Sequence, residues 1–476
     1  MSHHIQDQGR QQTTLFPEAL DDFVTDDNPV RVIDVFVDEI DLVELGFERV
    51  HAKRTGRPGY HPATLLKLYI YGYLNRIQSS RRLEKESHRN VELMWLLERL
   101  TPDFKTIADF RKDNGKAVKG VCRQFIELCR QMNMFSESLI AIDGSKFKAV
   151  NNRSRNYTSS KVKFHITRVE NSIQEYLDGL DKQDKDNQQT EEKASSSKIK
   201  WLRKRLAELK KMEETVQEHP DKQVSLTDPD SRLMKLHHLN RQVCYNVQSA
   251  VDTKHHLIVS HDIVQSTDMG YLTLVAKQVQ EALNKQDITV IADKGYFSRN
   301  DIKLLDDIGV TALIPQSDTS GAKLKGIFNK SLFKYDKEKD IYICPAGEEL
   351  QNRMRVFDSG LEQDVYFNHI ACRDCTIRAK CTTAKRDPRR MRRWVHEKLI
   401  DTMQTTLDES PETTVLRKQT VEHPFGTIKM WMGSTHFLMR RLKNVKTEMS
   451  LHVLAYNLRR MISIFGVPTL IQAMKA

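Results

Sequence analysis

From about Asn28 to Cys129 the apolar residues recur at the spacing of one buried face of an α-helix. Asn28-Pro29 caps and starts the first helix, whose stripe is Val30, Ile33, Phe36, Val37 and Ile40. GRPGY at 56–60 interrupts the pattern. HPATLLKLYIYGYL then predicts a second helix, and shorter ones fit SRRLEKESHRNVELMWLLERL and TIADFRKDNGKAVKGVCRQFIELCRQM. Short helices joined by tight turns and carrying Arg81, Arg82, Lys85, Arg89, Arg111 and Lys112 predict an all-helical, helix-turn-helix-like DNA-binding domain over residues 1–135.

At Leu139 the period changes. SLIAIDGSKFKAV reads as a short apolar strand ending in Asp143-Gly144, and strand patterns return at CYNVQSAVDT, HHLIVSHDIV, DITVIADKGYF and GVTALIPQ. Helical patterns lie between the later ones, at YLTLVAKQVQEAL and RNDIKLLDDIG. Three strands followed by helix, strand, helix and strand predict an α/β catalytic domain over 136–465. Two insertions interrupt it. Residues 166–225 combine a charged loop, DKQDKDNQQTEEKASSS, with an amphipathic helix whose face holds Leu202, Leu206, Leu209 and Val216. Residues 318–395 hold four cysteines and little regular periodicity, and the chain beyond them is helical again.

Three acids stand where chemistry could use them. Asp143 and Asp293 each follow an apolar strand and precede a glycine, and an unpaired carboxylate buried in such a place costs several kcal/mol, so packing alone does not explain it. Glu422 lies in QTVEHPFGTIKMWMG, with Lys429 two turns further along the same helical face, where a cation could bind a backbone phosphate. Phosphodiester cleavage is served by two divalent cations, one activating the nucleophile and one stabilising the leaving oxygen. Carboxylates from separate elements can hold Mg²⁺ or Mn²⁺ while leaving positions open for phosphate.

Composition agrees with a nucleic-acid partner. Lys and Arg number 75 against 64 Asp and Glu, a net charge of +11, and the pI is 9.1. No apolar run reaches the length of a membrane span and MSHHIQDQGRQQ has no signal-peptide core, so a cytoplasmic protein without membrane contact is expected. Of the seven cysteines, Cys372 and Cys375 form a C-x₂-C knuckle, Cys381 follows closely, and Cys344 could return a fourth thiolate to one structural Zn²⁺.

Taken together, AIDGSKFKA, IADKGYF and VEHPFGTIK resemble the three catalytic segments of the DDE transposases of bacterial insertion sequences. DDNPVRVIDVFVDEIDL, GRPGYHPATLLKLYIYGYL, SSRRLEKESHRNVELMWLLERLTPDFKTIADFRK, DPDSRLMK and YNVQSAVD extend the resemblance over nearly the whole chain, toward the subgroup with an N-terminal helical domain and a Cys-rich insert before the catalytic Glu. The resemblance implies an RNase H-like catalytic domain, binding to terminal inverted repeats and target DNA, strand cleavage and transfer, a homodimer in the paired-end complex, and a nucleoid-associated protein. Carried over by position, Asp143, Asp293 and Glu422 form the metal-binding triad, and Lys429 is the family's Lys after Glu. Related transposases place Tyr and Arg upstream of that Glu. Here Val415 and Lys418 stand at those spacings, with Arg417 beside the latter, and Lys418 takes the phosphate-binding place. The alternatives are a nuclease or resolvase on the same fold without strand transfer, and an inactive DNA-binding relative acting as a repressor.

Overall fold

The N-terminal helices form where their caps and stripes place them. Asn28 accepts from the Val30 N–H to start α1 (Pro29–Asp38), which buries Val30, Val32, Ile33, Phe36 and Val37. His61 caps α2 (Pro62–Leu74), and α3 (Ser80–Ser87), α4 (Val91–Leu96), α5 (Phe104–Asp113) and α6 (Gly115–Gln131) follow. The computed structural model describes residues 19–51, 59–136, 138–183, 192–236, 240–316, 326–384 and 386–475, so most of GRPGY lies outside the described residues.

β1 (Leu139–Lys148) does not end at Asp143-Gly144 as its apolar start suggests. It continues through Ser145-Lys146-Phe147, because β5 pairs with it as far as Lys148 and Phe147 is fully buried. β2 (Asn156–Thr158) leads into α7 (Ser159–Gln183) and α8 (Glu192–Glu218), a helical pair closed at its base by β3 (Gln223–Ser225). Leu202, Leu209 and Val216 are buried in this arm as their stripe predicts, with Leu206 partly so. Both ends of the expected charged loop are helical, and its centre, 184–191, lies outside the described residues.

The central sheet adds β4 (Arg232–Lys235), β5 (Arg241–Asp252), β6 (Ile258–Val264), then α9 (Leu272–Leu283), β7 (Ile288–Ile291), α10 (Arg299–Asp307) and β8 (Val310–Leu313). Its order is β4-β5-β1-β7-β8 with β6 also paired to β5; β5 runs antiparallel to β1, whereas β1, β7 and β8 are parallel. This is the mixed sheet of the expected α/β class.

The Cys-rich insert is more regular than its sequence suggests. It folds as a second, antiparallel sheet of β9 (Lys334–Asp336), β10 (Ile341–Ile343), β11 (Glu349–Asp358), β12 (Leu361–Phe367) and β13 (Met391–Trp394), with the one-turn helix α11 (His369–Arg373) before the last strand. Its own core is small: Phe333, Tyr342, Leu350, Tyr366 and Met391. The long strand β11 is exposed along most of its length, which hides the alternation that would have announced it.

α12 (Glu397–Glu409), α13 (Glu412–Gly426), α14 (Leu442–Phe465) and α15 (Val467–Lys475) complete the chain. α14 is buried nearly all round from Thr447 to Leu458 and packs against α2, α5 and α6 as well as β6. The N-terminal helices and the sheet therefore share one continuous core, joined by a helix from the far end of the sequence.

Candidate active site

The parallel pairing of β1 with β7 sets Ala141 opposite Ile291, so two residues further on Asp143 and Asp293 stand at the same level of adjacent strands. Asp293 has left the strand: its Oδ1 accepts the Gly295 N–H at 2.8 Å and caps the turn 294–296. Asp143 remains within β1 and is paired with Ser249 of β5.

Asp143, Ser145 and Phe147 share one face of the sheet, and α13 covers it, with the Phe147 and Phe425 rings 6.2 Å apart. Burial pushes the Asp143 carboxyl up to about 6; Arg417 and the Gly144 N–H oppose the rise, and the charges of Asp293 and Asp268 add to it. A carboxylate desolvated and crowded by like charge is one that a divalent cation would stabilise. The buried Ser249 and Thr420 hydroxyls, on β5 and α13, have no hydrogen-bond partner.

α13 carries the remaining candidates, on different sides. Arg417, 17% exposed at its side chain, brings Nη1 to 3.8 Å from Asp143 Oδ2. Lys418 is 67% exposed and reaches only its neighbour Glu422, at 3.9 Å. The cation facing the sheet is therefore Arg417 rather than Lys418, since the buried side of the helix is set by Thr420, Val421, Pro424 and Phe425. Glu422 is 65% exposed. Lys429 is directed inward, where Nζ donates to Ser145 Oγ at 2.7 Å and to the Lys146 carbonyl at 3.1 Å above the Phe147 ring, and burial lowers its proton affinity. It thus ties the segment after α13 to β1 within reach of the field of Asp143.

Two carboxylates are brought together and the third is not. Among the described residues no group of three or more His, Cys, Asp or Glu is close enough to hold a metal ion. The donors that Asp143 and Asp293 offer are nevertheless carboxylate oxygens, the kind a hard cation takes, and the charge of Asp293 reaches Asp143.

One acid escaped the sequence. Asp268, in the loop between β6 and α9, accepts from Asn246 Nδ2 and Gln248 Nε2, both at 2.8 Å. It lies against Gly144, where an added Cβ would come within 2.1 Å of Asp268 Oδ1. The available signal was Asn246 and Gln248 themselves, two carboxamides fully buried between the apolar residues Tyr245, Val247 and Ala250 of β5, which need polar partners.

Elsewhere, Arg111 is not at the surface: it is buried and donates to Tyr73 Oη at 2.8 Å, whereas Arg81, Arg82, Lys85, Arg89 and Lys112 are exposed. Cys344, Cys372, Cys375 and Cys381 line one cavity of about 20 Å³ in the insert. The Cys381 thiol is pushed up by burial, and the three other cysteines add to the rise. Among the described residues no helix is long and apolar enough to cross a membrane.

Two family models match the chain: a transposase domain (DUF772) over residues 18–113 and a transposase DDE domain over residues 222–458. The second match spans Asp268, Asp293 and Glu422 and begins after β1. No curated protein matches. A solved structure of a piggyBac transposase synaptic complex with hairpin DNA matches at 10% identity and a TM-score of 0.32, over 94% of this chain and 79% of that one, too low a score to carry an argument. The transposase-domain match over the N-terminal helices and the transposase DDE match that follows it make the chain a member of the DDE transposases of insertion sequences, whose catalytic domain is RNase H-like.

Proposed function

We propose that this transposase cleaves and joins DNA at the terminal inverted repeats of its own element, with Asp143, Asp293 and Glu422 as the metal-binding acids. The observation that carries the reading is the β1–β7 register, which brings Asp143 of β1 level with Asp293 just beyond β7, while burial and like charge raise the proton affinity of Asp143. Glu422 stands on the helix that covers the same face, one turn beyond Lys418 on its exposed side. Mg²⁺ or Mn²⁺ held there would activate the attacking oxygen and stabilise the leaving one. The chain's own residues do the positioning: Arg417 steadies the Asp143 carboxylate, Lys429 fixes the end of α13 to β1, and Lys418, free of the sheet, meets a DNA phosphate.

The exposed cations of α3, α5 and their turns support a DNA-recognition role for the N-terminal helices, and a homodimer would bring two element ends together. Labelled repeat-end DNA incubated with the protein, Mg²⁺ and a plasmid target should yield joined products. Nicked ends without joining would point to a nuclease, and binding without either product to an inactive relative.

The four insert cysteines are proposed to bind one structural Zn²⁺. They line one cavity of about 20 Å³ beside the small core of Phe333, Tyr342, Leu350, Tyr366 and Met391, and although they do not stand close enough together here to hold an ion, a metal bound between them would draw the insert closed. Protein purified without added zinc should contain one equivalent, lost in Cys372→Ser with Cys375→Ser. Less than about half an equivalent, unchanged in that variant, rejects the site.

A further inference from the structure

Asp268 lies on the other side of the sheet from the face that α13 covers. Gly144 and Gln248 are paired across β1 and β5, one residue out of step with Asp143 and Ser249, so their side-chain positions point to the opposite face, where Asp268 meets them. It is therefore placed to act behind the acids rather than beside them.

The hydrogen bonds form a chain with one allowed direction. A carboxylate only accepts, so Gln248 must turn its Nε2 toward Asp268, and its Oε1 is then left to accept from the Tyr296 hydroxyl. Tyr296 is fully buried and ends the turn 294–296 that Asp293 caps. The same constraint turns Asn246 Nδ2 toward Asp268 and the Ser266 carbonyl, which leaves the buried Asn246 Oδ1 without a partner. That orphaned atom is a cost, offset by the two bonds the amide donates, to Asp268 and to the Ser266 carbonyl. Gly144 makes the approach possible, since any side chain there would collide with the carboxylate.

Resting on the metal-site reading above, we propose that Asp268 is a positioning residue: through Gln248 and Tyr296 it fixes the turn that presents Asp293 to the metal ion, and Gly144 keeps its place beside β1 open. Asp268 does not itself touch the substrate or the ion. It sets the orientation of one amide, and that amide sets the turn.

The test uses the full chain and Mn²⁺ as the probe, with free Mn²⁺ followed by electron paramagnetic resonance and repeat-end DNA binding measured without metal as a check of folding. Asp268→Ala should weaken Mn²⁺ binding about 10–100-fold, the usual loss when a group that orients a metal ligand is removed. Tyr296→Phe, which deletes only the hydroxyl, should give a loss of the same kind, and the double variant should be no worse than the weaker single, because both break one chain. Additive losses, or unchanged affinity in either single variant, overturn the proposal. Should Asp268→Ala lose DNA binding, the isosteric Asp268→Asn carries the test: it frees Gln248 to turn over, so weakened Mn²⁺ binding supports the proposal and unchanged binding rejects it. Asp293→Ala separates the two readings. Lost Mn²⁺ binding there with wild-type binding in Asp268→Ala rejects this inference alone, whereas wild-type binding in Asp293→Ala rejects the metal site on which it rests.

Discussion

The two aspartates and the glutamate of this site are held in opposite ways. Asp143 stands within β1 and Asp293 in the turn just beyond β7, each two residues past the paired Ala141 and Ile291, and buried amides support them from behind. Glu422 rides on α13 with most of its side chain in solvent and only Lys418 near it. Sheet register is costly to change, because a one-residue slip would turn Phe147 and its neighbours out of the core. A helix-borne carboxylate can swing through its rotamers at little cost. On the proposed metal site the contrast would divide the labour: the strands would fix where the metal binds, and the helix would supply the last ligand when metal and DNA are present.

The largest effect that could break this contrast is in metal binding without DNA. Asp143→Ala and Asp293→Ala should each weaken Mn²⁺ binding by about 100-fold or more, as expected when a ligand rather than its support is removed, while Glu422→Ala should stay within about twofold of wild type. Equal losses in all three, read by calorimetry, would erase the distinction between strands and helix.

The strand side can be loosened by acid. In the row of residues that crosses the sheet from Asp143 through Ser249 to His261, the histidine is partly buried, bonds to Ser450 of α14, and has its proton affinity lowered to about 4 by desolvation and by Lys119 and Lys446, with Asp262 opposing. His452, further along α14, is lowered to about 3 by burial and Arg111. Both protonate in the unfolded chain near pH 6.5 while remaining neutral in the folded one, so their contribution to stability is intact above that pH and declines as pH falls toward 4. The decline should approach about 1.4 kcal/mol per pH unit for each histidine, visible as a falling urea midpoint between pH 6.5 and 4.5. His261→Gln should flatten part of that slope, and an unchanged slope would remove His261 from the account.

A smaller effect separates the two cations of α13. Arg417→Ala should reduce cleavage more than Lys418→Ala, because only Arg417 faces Asp143. Lys418→Ala should instead weaken DNA binding uniformly and lower its salt slope by about 0.9, the value of one phosphate contact.

Much of this was legible from residues alone. The stripes of α1 and α8, the strand patterns around Asp143 and Asp293, and the helical C-terminus all follow from periodicity, because each buries one regular face. What was not legible depended on distant partners. The end of β1 was hidden by Gly144-Ser145-Lys146, which reads as a turn until β5 pairs with it along its full length. The insert sheet was hidden by exposed strands, the burial of Arg111 by its tyrosine partner, and Asp268 by a loop whose meaning lies in two amides on another strand. The direction of Arg417 instead of Lys418 is a matter of helix phase, which Val421 and Phe425 fix only once the sheet they pack on is known.

Single-turnover cleavage of a repeat end tests the central claim most directly, with Asp143→Ala, Asp293→Ala and Glu422→Ala compared against wild type and DNA binding measured alongside. Removing several kcal/mol of metal-borne charge stabilisation corresponds to a loss of about 10³-fold. The account predicts that loss in all three variants with DNA binding intact, including the exposed Glu422; cleavage at the wild-type rate by Glu422→Ala would contradict it.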